Sequence, residues 1–478
     1  MFFEQIFKNF VYLIGIFEGM KPNKQKPPLF FVLILVLISV NLKAQYFVNG
    51  QDPASVKWRQ IKNGQFQIIF PENYDSVAQY YSNLLQLTSP FVSQPYNPKL
   101  HKISVILHNR TTTSNAMVPL APQRMEFFEM PEQNSYPQIW QNQLTLHEYR
   151  HVAQENKMRQ GLTKGLYYLT GEQGLAAIFG TFVPFWFIEG DAVISETMFS
   201  NSGRGRTPDF LYPLKAQVLD KKIYKYDKAV YGSYKNFVPD HYQLGYQLVA
   251  NANLNYGIEM WDKTLDLVAR RFYYIMPFSV GMKKGTGTGK FSYYKKTMES
   301  LAEQWRKEDA IEEVDSVEMI SLPQKFYTNY LFPNSLENGS FVVQKTGLND
   351  ITRFVLVNEN GKEKKLFTPG YDFQETLSVA DSLLCWNEKG YDPRWQMRNY
   401  SIIKIHDLKT GKTRKISSKS RYFAPALSPD GSKVVTVFVS EKSEYSLYIL
   451  DATNGEILRK IRTPDNLFFM TPHWSEDG

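Results

Sequence analysis

Residues 144–151 read LTLHEYRH, and the fold of the first half of the chain is decided there. The surrounding segment, residues 140–157, holds neither Gly nor Pro, which predicts a helix. On a helix, positions four apart share a face, so His147 and His151 can turn both imidazoles toward one metal ion. Glu148 stands next to them, placed to take a proton from water. The chain has only 7 histidines in 478 residues. A chance His-Glu-x-x-His is then expected on the order of 0.01 times, which sets it apart from a buried helix with two incidental histidines.

A catalytic zinc needs a third protein ligand, a downstream carboxylate or another histidine. The next histidine, His241, lies far along the chain. Residues 184–196 read PFWFIEGDAVISE, where Pro184 can open a helix and Glu189 falls in its first turns. The two stretches together resemble the peptidase-MA-like group of gluzincin zinc metallopeptidases, whose second motif runs Trp-Leu-x-Glu-Gly-x-Ala-x-Tyr-x-Glu. Trp186, Glu189, Gly190, Ala192 and Glu196 match it. Ile194 stands where a Tyr is usual, and Asp191 where an apolar residue is usual. The resemblance spans about residues 60–300, with its specificity concentrated in these two motifs.

The resemblance implies zinc as the cofactor, held by His147, His151 and Glu189. It implies Glu148 as the catalytic base that activates water and then protonates the leaving amine. It also implies a hydroxyl or imidazole donor for the tetrahedral oxyanion, for which His241, Tyr242 and Tyr246 are candidates. The family places a Tyr near the start of this helix, which favours Tyr242. Glu196, seven residues after Glu189 on nearly the same face, is either a substitute ligand or a carboxylate hydrogen-bonded to a histidine. The Gly-Ala-Met-Glu-Asn segment of the aminopeptidase relatives is absent, so an aminopeptidase is not expected. Nor is there a P-loop, a dinucleotide fingerprint or a Gly-x-Ser-x-Gly elbow.

Two neighbouring stretches leave alternatives open. Residues 124–130 (RMEFFEM) have strand character. They form either an edge strand that pairs with peptide substrate or an internal strand. Leu175–Ile188 is nearly all apolar. It lines the pocket, touches a membrane or forms a buried helix.

From about residue 325 the pattern turns all-β. Residues 333–339 (PNSLENG), 425–431 (PALSPDG) and 472–478 (PHWSEDG) share Pro-x-x-x-x-Asp/Asn-Gly, with a degenerate copy at 375–382 (ETLSVADS). The copies imply a unit of roughly 40–50 residues, with alternating strands and hairpin turns such as Asn454-Gly455 between them. A four-stranded unit of that period is a β-propeller blade; an ordinary β-sandwich is the alternative. Ser428-Pro429-Asp430-Gly431 resembles the TolB-like or WD40-like repeat. A propeller needs at least four blades, so about three blades lead us to expect a chain continuing past Gly478.

Residues 1–19 read as upstream read-through before Met20. Residues 20–44 read as a secretory signal peptide: Lys21, Lys24 and Lys26, then an apolar run Leu29–Val40, then cleavage after Ala44. An uncleaved anchor is the alternative. The single Cys385 excludes an intrachain disulfide and any Cys-based zinc or iron–sulfur site. A net charge of +8 with no Lys/Arg block points to no nucleic-acid partner.

The fold expected is thus an α+β zincin-type metallopeptidase domain over residues 45–320, followed by an all-β partial β-propeller over 325–478. The function expected is an exported zinc peptidase of the periplasm or cell envelope of a Gram-negative bacterium, with secretion to the medium as the alternative. It would act on a peptide or protein substrate, with a protein partner on the propeller and a peripheral membrane contact as further options. The alternative is a non-catalytic envelope scaffold whose propeller binds other proteins.

Overall fold

The computed structural model describes residues 50–478 except 100, 134–137, 312–317, 372, 374 and 375. The read-through over 1–19 and the signal peptide over 20–44 lie outside the described residues. Val48–Gly478 forms one compact unit.

Strands β1 (Trp58–Asn63) and β2 (Phe66–Pro71) form an antiparallel hairpin. Gly64-Gln65 closes it, with Gly64 at φ 59°, where a Cβ would be strained. β2 then pairs in parallel with β3 (Ile103–His108), and β3 in parallel with β5 (Arg124–Phe128). The short β4 (Asn115–Met117) pairs antiparallel with β5, giving the order β1-β2-β3-β5-β4. Arg124–Phe128 is therefore an internal strand, and the strand alternative of substrate pairing along it is corrected. Both of its edges are already taken, and β4 forms the free edge instead.

The period-2 pattern of β2 and β3 turns Phe66, Ile68, Phe70, Ile103, Val105 and Leu107 inward. Two helices cover that face, α1 (Asp75–Val92) and α2 (Trp140–Lys157). α2 meets the sheet through Leu146, Tyr149 and Val152, spaced three apart. That leaves His147 and His151 on another side of the helix.

The middle of the chain is helical. α3 (Gly161–Thr170) and α4 (Glu172–Phe182) form a hairpin, followed by α5 (Phe185–Met198). The apolar stretch Leu175–Ile188 is thus not one buried helix. It breaks at Val183-Pro184, where α4 and α5 bend by 95°, and in α4 only Leu175 and Phe179 are buried. Next come α6 (Pro208–Asp220), α7 (Tyr226–Tyr231), α8 (His241–Tyr256), α9 (Glu259–Arg270), α10 (Pro277–Thr286) and α11 (Lys290–Asp309). Their core centres on rings: Phe187 lies 4.7 Å from Trp261, and the Trp186 indole N–H donates to the Tyr226 hydroxyl at 2.8 Å.

Three four-stranded antiparallel meanders follow. They are β6–β9 (Thr328–Ser335, Phe341–Gly347, Arg353–Val357, Glu363–Phe367), β10–β13 (Ser378–Ala380, Leu383–Tyr391, Asn399–Asp407, Lys412–Lys415) and β14–β17 (Tyr422–Leu427, Lys433–Val439, Tyr445–Asp451, Ile457–Arg462). Among the described residues these sheets form no closed ring. At 333–339 and 425–431 the repeated Pro-x-x-x-x-Asp/Asn-Gly spans the first strand's end and the turn into the second, whereas residues 472–478 form no strand. In its full copy Asp430 Oδ1 accepts from the Ser432 amide at 3.0 Å, Ser428 Oγ accepts from the Lys433 amide at 2.9 Å, and Gly431 takes φ 68°. The third-to-fourth-strand turns repeat a second device: Asp407 and Asp451 each accept two backbone amides ahead of a Gly at positive φ.

The sheets are tied to the end of β3. Asn399 Oδ1 accepts from Thr112 Oγ1 at 2.7 Å, Arg421 Nη1 donates to Thr111 O at 3.0 Å, and Asn109 Nδ2 donates to Glu441 O at 2.7 Å. A cleft of about 740 Å³ opens between the two parts, with Thr112, Glu132, Asp350, Tyr371, Phe373 and Lys389 among its walls.

Candidate metal centre

Three buried side chains from two helices converge. His147 and His151 come from α2 and Glu189 from α5. His147 Nε2 lies 3.2 Å from Glu189 Oε2, and His151 Nε2 lies 3.4 Å from the same oxygen. The donor atoms of all three residues lie within 4.8 Å of one another. Ligands about 2.0–2.1 Å from a tetrahedral zinc stand about 3.3 Å apart, so two of these separations match the edge of such a polyhedron.

The far nitrogens of both rings are engaged. His147 Nδ1 faces Glu196 Oε2 at 3.0 Å, and His151 Nδ1 faces Gln154 Oε1 at 3.1 Å. Gln154 Nε2 donates to Ile188 O at 3.1 Å and to Asp191 Oδ2 at 2.7 Å, so its oxygen must be the end that meets His151. With Nδ1 engaged on each ring, Nε2 is the atom that faces Glu189, and on losing its proton it would offer its lone pair to a metal there. This donor set, two imidazoles and one carboxylate, fits zinc.

Glu196 is itself held. Arg204 Nε donates to Oε1 at 2.8 Å and Arg204 Nη2 to Oε2 at 3.0 Å, while the Arg204 amide and Gln143 Nε2 also donate to Oε1. Arg204 sits on a short 3₁₀ turn just after α5, Arg204–Arg206. The candidates for the oxyanion donor separate in space. Tyr242, in the first turn of α8, has its ring 6.1 Å from that of His147, with the Arg204 guanidinium 4.9 Å over its face. Tyr246 instead donates to Gly205 O at 3.3 Å. His241 packs between Phe185 and Tyr242, with centroids 4.4 and 4.5 Å away.

The charges follow from burial against close partners. Burial raises the Glu148 carboxyl above its ordinary range, against the pull of the two histidines. Burial opposes ionisation of Glu189 as well, but both imidazoles hold it well below that range. Glu196 is likewise held down to about 2 by Arg204 and His147, despite its burial. Burial works against a charged His151, yet the Glu189 carboxylate carries it up to about 10. The Tyr242 phenol is pushed up by burial and by the nearby Glu189 carboxylate.

The residue that departs from the expected pattern, Asp191, has a partner of its own. Arg150, inside the His-Glu-x-x-His stretch, grips it with Nε at 2.7 Å and Nη2 at 2.8 Å, and Tyr96 donates to it at 2.7 Å. This buried bidentate pair ties α2 to α5 beneath the donor cluster. Sequence inspection missed Arg204, Gln154 and the Arg150–Asp191 pair. Gln154 was within reach, three residues after His151 on the helix, but nothing local marks Arg204.

No protein-family model and no curated protein matches the chain. Among solved structures it is similar to β-propeller domains of TolB and of peptidases. The β-propeller domain of the Trilobed protease from Pyrococcus furiosus is 14% identical at a TM-score of 0.22, over 29% of this chain and 43% of that one. TolB from Acinetobacter baumannii is 18% identical at 0.22, over 27% and 32%. Acylaminoacyl peptidase from Pyrococcus horikoshii is 12% identical at 0.22, over 29% and 25%. The chain spans less than half the length of each of these.

Proposed function

We propose that the chain is an exported zinc-dependent peptidase that hydrolyses peptide bonds in a peptide or protein substrate. One observation carries the reading: two histidine Nε2 atoms meet one Glu189 oxygen at 3.2 and 3.4 Å, with both Nδ1 atoms engaged behind them. His147, His151 and Glu189 would hold the metal. Zinc, when bound, supplies Lewis acidity toward water and the scissile carbonyl.

The chain's own residues supply the rest. Glu148, as carboxylate, takes a proton from the attacking water while the water oxygen bonds to the carbonyl carbon. Its raised carboxyl range makes it a better base near neutral pH and a usable acid afterwards. As the C–N bond breaks, Glu148 returns that proton to the leaving nitrogen. Tyr242 donates its hydroxyl proton in a hydrogen bond to the substrate oxygen as charge develops there. Arg204 holds Glu196, and Glu196 holds His147, so the ring is oriented before substrate arrives. The cleft beside the sheets is the proposed path for substrate.

The test is zinc content together with cleavage of a denatured protein, for the wild type, Glu148→Gln and His147→Ala. The expected result is one zinc per chain in the first two, cleavage in the wild type alone, and metal loss in His147→Ala. One zinc per chain with cleavage by neither form would leave the chain a binding protein. Unchanged metal in His147→Ala would overturn the ligand set.

A further inference from the structure

The first helix of the hairpin joining α2 to α5 has its polarity reversed. In α3, Thr163 is buried, while Tyr168 is 74% exposed, Leu169 84% exposed, and Leu162 also faces solvent. Thr163 turns inward because its hydroxyl donates to the Met158 and Gln160 carbonyls at the end of α2. With that polar residue anchored inside, the leucines seven apart, Leu162 and Leu169, are left on the outer side.

A second element with exposed apolar residues meets the start of α3. A Cβ on Gly161 would come within 2.6 Å of Arg270 Cγ, and Arg270 Nη2 donates to Gln160 Oε1 at 3.1 Å. Just beyond Arg270, the loop into α10 exposes Tyr273, Met276 and Ile275, the last at 94%. Exposed apolar side chains on two elements that meet at Gly161 and Arg270 mark a candidate interaction surface rather than scattered surface residues.

The charges around this face choose the partner. Lys164, Arg270 and Arg271 are exposed among these residues. The nearby acid, Asp266, is occupied by Lys157 at 2.7 Å and approached by Arg270 at 3.9 Å. Leucine, isoleucine and tyrosine interleaved with Lys and Arg suit the boundary of an anionic bilayer. The apolar groups enter the acyl edge while the cations stay with phosphate.

We propose that the outward face of α3 and the Arg270–Met276 loop dock on an anionic phospholipid bilayer. The contact is peripheral. Among the described residues no single helix is long and apolar enough to cross a membrane. The one bent pair that passes by composition includes α5, which is buried and carries Glu189 and Glu196. The hairpin links the two helices of the donor cluster. The proposal does not depend on the cluster binding zinc.

The test uses the full chain with an environment-sensitive fluorophore on Leu169→Cys. The native Cys385 is buried, so labelling is selective. A matched label on Tyr391→Cys, exposed on the second sheet, is the control. Vesicles of phosphatidylcholine with phosphatidylglycerol should shift the Leu169→Cys emission to the blue and leave Tyr391→Cys unchanged. Adding Lys164→Glu and Arg271→Glu should weaken that response on the order of tenfold or more. No shift at Leu169→Cys would overturn the proposal, as would an equal shift with phosphatidylcholine alone. A shift that grows with protein concentration without lipid would assign the face to a second copy and also overturn it.

Discussion

Gly190 and Gly245 lie backbone against backbone: a Cβ built on Gly190 would sit 2.1 Å from the carbonyl carbon of Gly245. The reverse contact is as tight, since a Cβ on Gly245 would come 1.9 Å from the Trp186 carbonyl oxygen. The helix that carries Glu189 and the helix that carries Tyr242 therefore cross at their closest possible approach. The Gly following Glu189 has a packing cause.

Gly190→Ala must push α5 and α8 apart, because only backbone atoms stand in the way. The expected cost is about 2–4 kcal/mol in chemical denaturation. Zinc binding should weaken along with it, since Glu189 is the preceding residue. An unchanged midpoint in urea would show that the crossing is looser than described.

Arg150 and Asp191 form a buried pair, and breaking it from one side leaves a lone charge inside. Asp191→Ala should lose about 3–5 kcal/mol of stability. The double variant Arg150→Met, Asp191→Leu should recover much of that loss. A double-mutant cycle measures the coupling, and additive losses would refute it.

Glu196 and Gln154 would act on a bound metal through the histidines. Glu196→Gln and Gln154→Ala should each lower zinc affinity about 10–100-fold while leaving Glu148 in place. Competition with a chromophoric chelator reads this directly. Equal affinity in all three proteins would reduce the pair to packing.

Stability should fall as pH rises from about 4.5 to about 9. Burial lifts the Glu129 carboxyl from 4.5 to about 7, against the nearby Tyr81 hydroxyl and the hydrogen bond from Tyr74. A carboxyl raised in the fold contributes fully below 4.5 and loses that contribution through about 7. Burial opposes a charged His108, but Asp52 and Glu126 outweigh it and carry it from 6.5 to about 9. Its contribution is complete below 6.5 and lost through about 9. Thermal melts of Glu129→Gln should lack the lower part of this decline, and a slope matching the wild type there would count against the assignment.

Elements set by neighbours in sequence were legible. The helix over 140–157 follows from its lack of Gly and Pro. The turns at Asp430 and Asp451 follow from side chains that bond amides two residues on. Long-range placement was not legible. Arg124–Phe128 reads as a strand, but its internal position depends on β3 and β4 arriving on either side. Asp191 reads as a departure from a pattern until Arg150 is seen to hold it.

By itself, the sequence determined that His147, Glu148 and His151 share one helix, that Glu189 opens another, and that the C-terminal part repeats a four-stranded unit. These follow from spacing and hydrogen bonds within a few residues. Only the tertiary structure decided that Glu189 meets both imidazoles, that Arg204 and Gln154 orient them, and that the leucines of α3 face outward. Those outcomes depend on which surfaces pack together across tens of residues, and burial, unlike helical spacing, is a property of the whole fold.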